Sequence, residues 1–360
     1  MNITETEISK TPSAFAQRLL DWYSLNARSM PWRVPPAEHG LGVRADPYRI
    51  WLSEVMLQQT QVATVIDYYI RFVEQWPSIR DLAAAELDDV LKAWAGLGYY
   101  SRARNLKKCA DLIVKNHNGR FPENYDELRQ LPGIGDYTAS AIASIAFGEA
   151  VAVIDGNVER VISRHKMIVT PFPAAKSQVR KYLEEMLEPE NPGEFAQAMM
   201  DLGATVCSPR RPTCAFCPVS GDCIARAQGN PEQYPVKMKK SIKPTRKGAA
   251  YIIQNDRGEV FLCKREEKGL LAGMAQVPTT QWNSQEDGAT GFEAAPLKAD
   301  WQFEGTVRHT FTHFHLELEV WTVSNTNHPA LEGWWCAPKN LNNEALPSVM
   351  LKVLNLKDKI

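Results

Sequence analysis

The period of the apolar residues changes once along the chain, near Gly248, and that change predicts two separately built cores. Before it, apolar positions recur at helical spacing. Val62, Val65, Ile66 and Tyr69 follow i, i+3, i+4, i+7, and so do Val158, Val161, Ile162 and His165. Glycine- and proline-bearing punctuation at 96–98, 131–135 and 191–193 separates these stretches. After it, residues 249–253 and 260–264 flank the turn-rich segment 254–258, a hairpin signal. Leu316, Leu318, Val320 and Thr322 alternate with Glu317, Glu319, Trp321 and Val323, a strand with two unlike faces. The first part therefore reads as all-α and the second as α+β. Between them, residues 229–248 hold three prolines, and 237–247 carry six basic residues with no acid. That composition predicts a solvated tether first, with phosphate contact as a smaller addition. The expected division is 12–228 helical domain, 229–247 linker, 248–360 second domain, in keeping with 360 residues.

Composition narrows the class. At 44% hydrophobic and 23% charged residues, the chain is neither disordered, collagenous nor a coiled-coil rod. The best apolar stretch, 138–148, is too short to span a bilayer and meets Glu149. The N-terminal MNITETEISK has acids and no apolar core, so no secretory leader is expected and the cytoplasm is the default address. A net charge of −1 excludes uniform coating of nucleic acid and leaves room for a local basic face.

Four of the seven cysteines crowd together as Cys207, Cys214, Cys217 and Cys223, spaced C-x6-C-x2-C-x5-C, while Cys109, Cys263 and Cys336 are scattered. One tight cluster in a cytosolic chain reads as a metal site rather than a disulfide framework. Four soft thiolates on one loop suit zinc or an iron–sulfur cluster, and the spacing leaves both open.

Four further segments carry chemistry. Leu131-Pro132-Gly133-Ile134-Gly135 lies between helical stretches. Its glycines permit close backbone approach to a ligand, and the helix after it offers free N–H groups to a phosphate; a plain turn between helices would look similar. Asp155 precedes the helix bearing Val158 and Val161, the place of an N-cap. Glu54 is flanked by Trp51, Leu52, Val55, Met56 and Leu57. A carboxyl in such company lies at a pocket edge, where desolvation raises its pKa and keeps a proton available. The run 96–105, GLGYYSRARN, mixes aromatic with basic side chains, which suits base stacking and phosphate contact. His309, His313 and His315 lack an acidic partner at metal-ligand spacing.

Taken in order, SEVMLQQT at 53–60, the LPGIG hairpin, VIDGNV at 153–158 and the cysteine loop resemble the endonuclease III superfamily of DNA repair glycosylases, and specifically its MutY-type, adenine-specific branch. The resemblance implies an all-α helix-hairpin-helix glycosylase domain with a [4Fe–4S] loop, followed by an α+β Nudix-like domain. It implies hydrolysis of the N-glycosidic bond of adenine opposite 8-oxoguanine or guanine in double-stranded DNA, leaving an abasic site. Glu54 matches the acid that protonates the leaving purine. Asp155 matches the carboxylate that stabilises the cationic sugar. Asn157 matches a residue that holds water or the base. Tyr137 stands where bifunctional relatives carry the Schiff-base lysine, so strand cleavage is not expected. Gln59 and Tyr99 match residues that wedge into the duplex, with Leu97, Gly133 and Gly135 also on DNA. Cys207, Cys214, Cys217 and Cys223 match the cluster ligands. Phe311-Thr312-His313 resembles the 8-oxoguanine-reading loop, usually Phe-Ser-His; Thr312 keeps the hydroxyl and adds a methyl. Arg265-Glu266-Glu267 lacks the remaining Nudix acids, so the second domain is expected to recognise the lesion without catalysis of its own. The family habit also implies a monomer acting on the bacterial nucleoid. One departure stands out: residues 34–45 intervene between Pro31-Trp32-Arg33 and Asp46-Pro47-Tyr48, and a surface loop is expected there.

Overall fold

The computed structural model describes residues 13–238, 242–266, 269–326 and 331–356. The polar N-terminus through residue 12, residues 239–241 of the basic run, and Glu267 lie outside the described residues. By their contacts the described residues form two units. One holds the chain through Ala84 and from Asn105 to 238. The other holds Ala85–Arg104 together with the chain from 242 onward.

The first unit is helical. It contains α1 (Ala14–Asn26), α2 (Pro36–Gly40), α3 (Pro47–Leu57), α4 (Val62–Gln75) and α5 (Ile79–Ala84). The chain then supplies α6 (Leu87–Ala93) to the second unit, and α7 (Ser101–His117) runs back into the first. There follow α8 (Tyr125–Leu128), α9 (Asp136–Phe147), α10 (Gly156–His165), α11 (Lys176–Met186), α12 (Pro192–Thr205) and α13 (Ile224–Ala227). Ser13 starts α1 by accepting from the Ala16 N–H at 3.1 Å, a capping bond worth about 1 kcal/mol.

From Thr138 to Ala146 helix α9 is made of small and β-branched residues, and every one of these positions is buried. It packs between α3 and α12. Two glycines let α12 come close to its neighbours. A Cβ on Gly193 would lie 2.7 Å from the Ser144 carbonyl oxygen of α9, and one on Gly203 would lie 2.5 Å from Asn157 Cβ of α10. Segment 34–45 is not wholly loop. It folds the short α2, and His39 Nδ1 lies 3.5 Å from Glu194 Oε2 in the first turn of α12. Proline at the first helical position, where an N–H would be unpaired anyway, favours that turn.

The second unit contains β1 (Thr245–Ile253), β2 (Val260–Lys264), β3 (Ala275–Gln276), β4 (Gln302–Thr310), β5 (His315–Val323), β6 (Trp334–Cys336) and α14 (Ser348–Leu354). The strands form two three-stranded sheets, ordered β1-β5-β4 and β3-β2-β6. The expected hairpin between β1 and β2 needs correcting. The turn forms, with Gly258 N–H on the Asn255 carbonyl at 3.0 Å and a single bridge between Gln254 and Val260. The strands then part into different sheets, because β1 pairs in parallel with β5 along its whole length, Thr245 to Ile253 against His315 to Val323. From Gly248 onward β1 is buried on both faces, which a two-stranded hairpin cannot supply. Ala250 and Ile252 face a core with Leu316, Leu318, Val320 and α14, while Ile253 and Val323 face a second cluster with Trp301 and Trp335. The alternation read along 316–323 is therefore the inner face of the central strand β5. No helix among the described residues is long and apolar enough to cross a membrane.

Candidate active site

Helix α3 begins on Asp46, whose side chain accepts from the Tyr48 N–H at 2.8 Å, with Pro47 at the first helical position. Its apolar residues Trp51, Leu52, Val55 and Met56 lock it into the core, and Glu54 is carried in with them at 5% exposure. Glu54, Gln59, Tyr137, Asp155 and Asn157 line one cavity of about 560 Å³. α3, the start of α9 and the start of α10 thus bring four of the sequence-chosen carboxyl, phenol and amide groups together.

Burial pushes the Glu54 carboxyl up to about 7; the negative charge of Asp155 pushes the same way, and the Tyr137 hydroxyl and Arg33 oppose it. Glu54 Oε2 is buried with no hydrogen-bond partner. The phenol of Tyr137 bonds the Glu54 carboxyl and lies 3.6 Å from Met200 Sδ. Burial, then the charges of Glu54 and Asp155, hold its pKa well above 10.

Asp155 is indeed the N-cap of α10. Its Oδ1 accepts from the N–H groups of Asn157 (2.8 Å) and Val158 (2.7 Å), and its Oδ2 from Asn157 Nδ2 (2.7 Å). Capping and cavity lining are compatible: the cap bonds fix the carboxylate's orientation at a helix N-terminus, which favours negative charge.

Sequence reasoning missed the groups that hold this wall. Asp201 is fully buried on α12 and takes both Arg28 Nε (2.6 Å) and Arg33 Nη1 (2.7 Å). An acid within the apolar run Met199-Met200-Asp201-Leu202 was the available signal. Arg160 sits one turn into α10. It bonds Asn157 Oδ1 (2.8 Å), the Gly203 carbonyl (2.6 Å) and, through Nε, the Cys207 carbonyl (2.8 Å). Arg164, four residues on and 1% exposed, bonds the carbonyls of Cys207, Ser208, Pro209 and Tyr234 and lies 3.3 Å from Cys207 Sγ. One face of α10 therefore ties the Asp155 end to the cysteine loop.

Cys207, Cys214, Cys217 and Cys223 are free thiols around a second, small cavity. Among the described residues no three His, Cys, Asp or Glu side chains gather closely enough to hold a single ion. Around zinc, with Zn–S near 2.3 Å, thiolates would approach to about 3.8 Å of one another. An iron–sulfur cluster takes one thiolate per iron around its periphery, and four thiols ringing a cavity fit that donor set. Burial pushes Cys217 up to about 11, with the other three thiols adding to it. The loop therefore resists thiolate charge unless a cationic centre compensates it.

The residues expected on DNA fall in several places. Gly133 has φ +76°, and a Cβ there would lie 2.7 Å from Asn105 Cβ; Gly135 N-caps α9. Gln59 is exposed at the end of α3 with φ +59°, and Tyr99 is 50% exposed with φ +49°. Left-handed backbone at non-glycine residues costs about 1–3 kcal/mol and concentrates at functional sites. Leu97 has a buried side chain, its N–H on the Trp94 carbonyl at 3.1 Å and its own carbonyl accepting from Arg102 at 3.0 Å. Arg102 also bonds the Gly98 carbonyl and so braces the turn that presents Tyr99. In the second unit Phe311 stacks on Phe314 at 4.8 Å, while Thr312 and His313 are exposed at the tip of the β4–β5 turn. The Tyr99 hydroxyl reaches Thr312 Oγ1 at 3.3 Å, and Lys243 Nζ reaches the Phe311 carbonyl at 3.0 Å.

Comparison with known proteins agrees with this construction. Residues 52–189 match the HhH-GPD superfamily of base excision DNA repair proteins, and residues 249–356 match the NUDIX domain. A thermostable thymine-DNA glycosylase of known structure superposes with a TM-score of 0.52 at 27% identity, covering 59% of this chain and 95% of that one. The helical fold and these matches mark the chain as a DNA glycosylase of base excision repair. The human adenine DNA glycosylase is 36% identical over 96% of this chain and 74% of its own length. That of Buchnera aphidicola subsp. Schizaphis graminum is 31% identical over 95% and 98%. The chain belongs to the MutY-type adenine DNA glycosylase family.

Proposed function

We propose that this enzyme hydrolyses the N-glycosidic bond of adenine mispaired with 8-oxoguanine or guanine in duplex DNA and leaves an abasic site. The observation that carries the reading is Glu54, buried with an unpartnered oxygen in the same cavity as Asp155. Protonated near neutral pH, Glu54 delivers its proton to a ring nitrogen of the flipped-out adenine and converts a poor leaving group into a neutral one. Positive charge then builds on the sugar, and the fixed side chain of Asp155 stabilises it. The Tyr137 hydroxyl orients the Glu54 carboxyl, and Asn157 holds Asp155 and borders the water that completes hydrolysis. Tyr137 offers no amine, so no Schiff base forms and the strand stays intact.

Outside the cavity, Gln59 and Tyr99 fill the space vacated by the base, while the Gly133–Gly135 hairpin bonds backbone phosphate. Phe311, Thr312 and His313 read the opposing base, with the Thr312 hydroxyl as the hydrogen-bonding group. Cys207, Cys214, Cys217 and Cys223 hold a [4Fe–4S] cluster, whose cationic irons would offset four thiolates and which supplies a one-electron couple when bound. The protein acts as a cytoplasmic monomer on nucleoid DNA.

Base release from A:8-oxoguanine, A:G and A:T duplexes, each with and without hot alkali, tests this. Breaks only after alkali and only at the mispairs are expected. Breaks without alkali would mean lyase chemistry, and tight binding with no release would mean a non-catalytic DNA-binding protein. Four irons per chain by metal analysis are expected from the cluster; zinc in their place would refute it.

A further inference from the structure

His165 closes α10 and lines the cysteine-walled cavity. It is 5% exposed, and neither Nδ1 nor Nε2 has a hydrogen-bond partner. Its ring packs edge-on against Phe15 of α1 at 4.9 Å. An imidazole carries at least one N–H in either charge state, so a donor is always present. Leaving such a group buried and unpaired costs about 1–3 kcal/mol, and folded proteins seldom tolerate it without a use. For packing alone, a leucine or phenylalanine would fill the space against Phe15 without that cost.

The acceptors missing from the protein are sulfurs. The cavity is ringed by four cysteines, and the neighbouring Arg164 already lies within donor distance of Cys207 Sγ. We infer that His165 donates a ring N–H to a sulfur of the bound iron–sulfur cluster and raises the cluster's reduction potential. The inference rests on the cluster reading above. An N–H···S bond strengthens as an added electron makes the sulfurs more negative, so a donor favours the reduced form. This role is separate from that of Arg164, whose guanidinium is bonded mainly to loop carbonyls and shapes the loop itself.

The test uses the full chain purified anaerobically with its cluster, with iron measured first. Redox titration followed by electron paramagnetic resonance then compares wild type with His165→Leu and His165→Gln. In His165→Leu the oxidised-to-reduced ratio at fixed potential should rise at least threefold. That is a negative shift of about 28 mV at about 59 mV per tenfold for one electron. His165→Gln, which keeps an N–H donor, should recover most of the shift. Equal potentials in wild type and His165→Leu at full iron content would overturn the inference. Pulsed resonance on wild-type protein labelled with ¹⁵N-histidine needs no variant to fold: a ¹⁵N coupling to the cluster is expected, and its absence is equally fatal. A wild-type chain without iron would remove the cluster reading itself, and the iron measurement distinguishes that failure from the others.

Discussion

At Glu54 the burial that keeps the proton also sets a cost on the fold. Its carboxyl is raised from 4.5 to about 7, so the folded state binds the proton more tightly than the unfolded chain does. The associated stability, about 3 kcal/mol, is fully present below pH 4.5 and is lost as pH rises through about 7. Thermal melts of wild type and Glu54→Gln should therefore diverge at pH 8, with the variant more stable, and the gap should narrow toward pH 5. Activity has the matching sign: as a general acid, Glu54 should give a rate that falls tenfold per pH unit above about 7. Glu54→Gln should lose about 10²–10⁴-fold in base release with duplex binding kept, and near-normal turnover would refute its role. Glu54 was legible because its own neighbours in sequence are apolar. Asp201 was harder, since its partners Arg28 and Arg33 lie far back along the chain and only an acid amid apolar residues hints at them.

Among the elements, α12 depends on what it lacks. Gly203 has no Cβ, so Asn157 can sit against the helix. Gly203→Ala should push α10 outward, cost about 1–3 kcal/mol in denaturant unfolding, and lower base release by more than that loss of folded protein explains. A fully active, equally stable variant would mean that α10 tolerates the shift. Arg160→Gln should uncouple the two ends of α10, lowering both iron content and base release, because among the described residues it alone bonds Asn157, Gly203 and Cys207 together. The helices were readable from spacing and caps, which are local. The partner of β1 was not, since turn chemistry at 254–258 speaks only for the adjacent strand, and β5 comes some sixty residues later. Arg160 was equally hidden: an arginine on a helix reads as a solvated face until its carbonyl acceptors are placed.

In the whole molecule the change of period near Gly248 marks where the strands begin, at Thr245, but nothing in the pattern of Ala85–Arg104 separates it from the helices around it. Its membership in the second unit follows from distant contacts, Tyr99 to Thr312 at 3.3 Å and Asp88 to Lys264 at 4.0 Å. A chain ended after residue 238 loses both partners. Hydrogen exchange should then rise at 96–101 while the amides of α9 and α12 stay protected, and unchanged exchange at 96–101 would show that the segment orders itself. The discontinuity reaches beyond folding to inheritance. A recombination event that exchanged the C-terminal sequence alone would leave Tyr99 facing a foreign β4–β5 turn. Working hybrids between relatives should require the two stretches to travel together, so that drift at Thr312 is answered by selection at a site two hundred residues upstream.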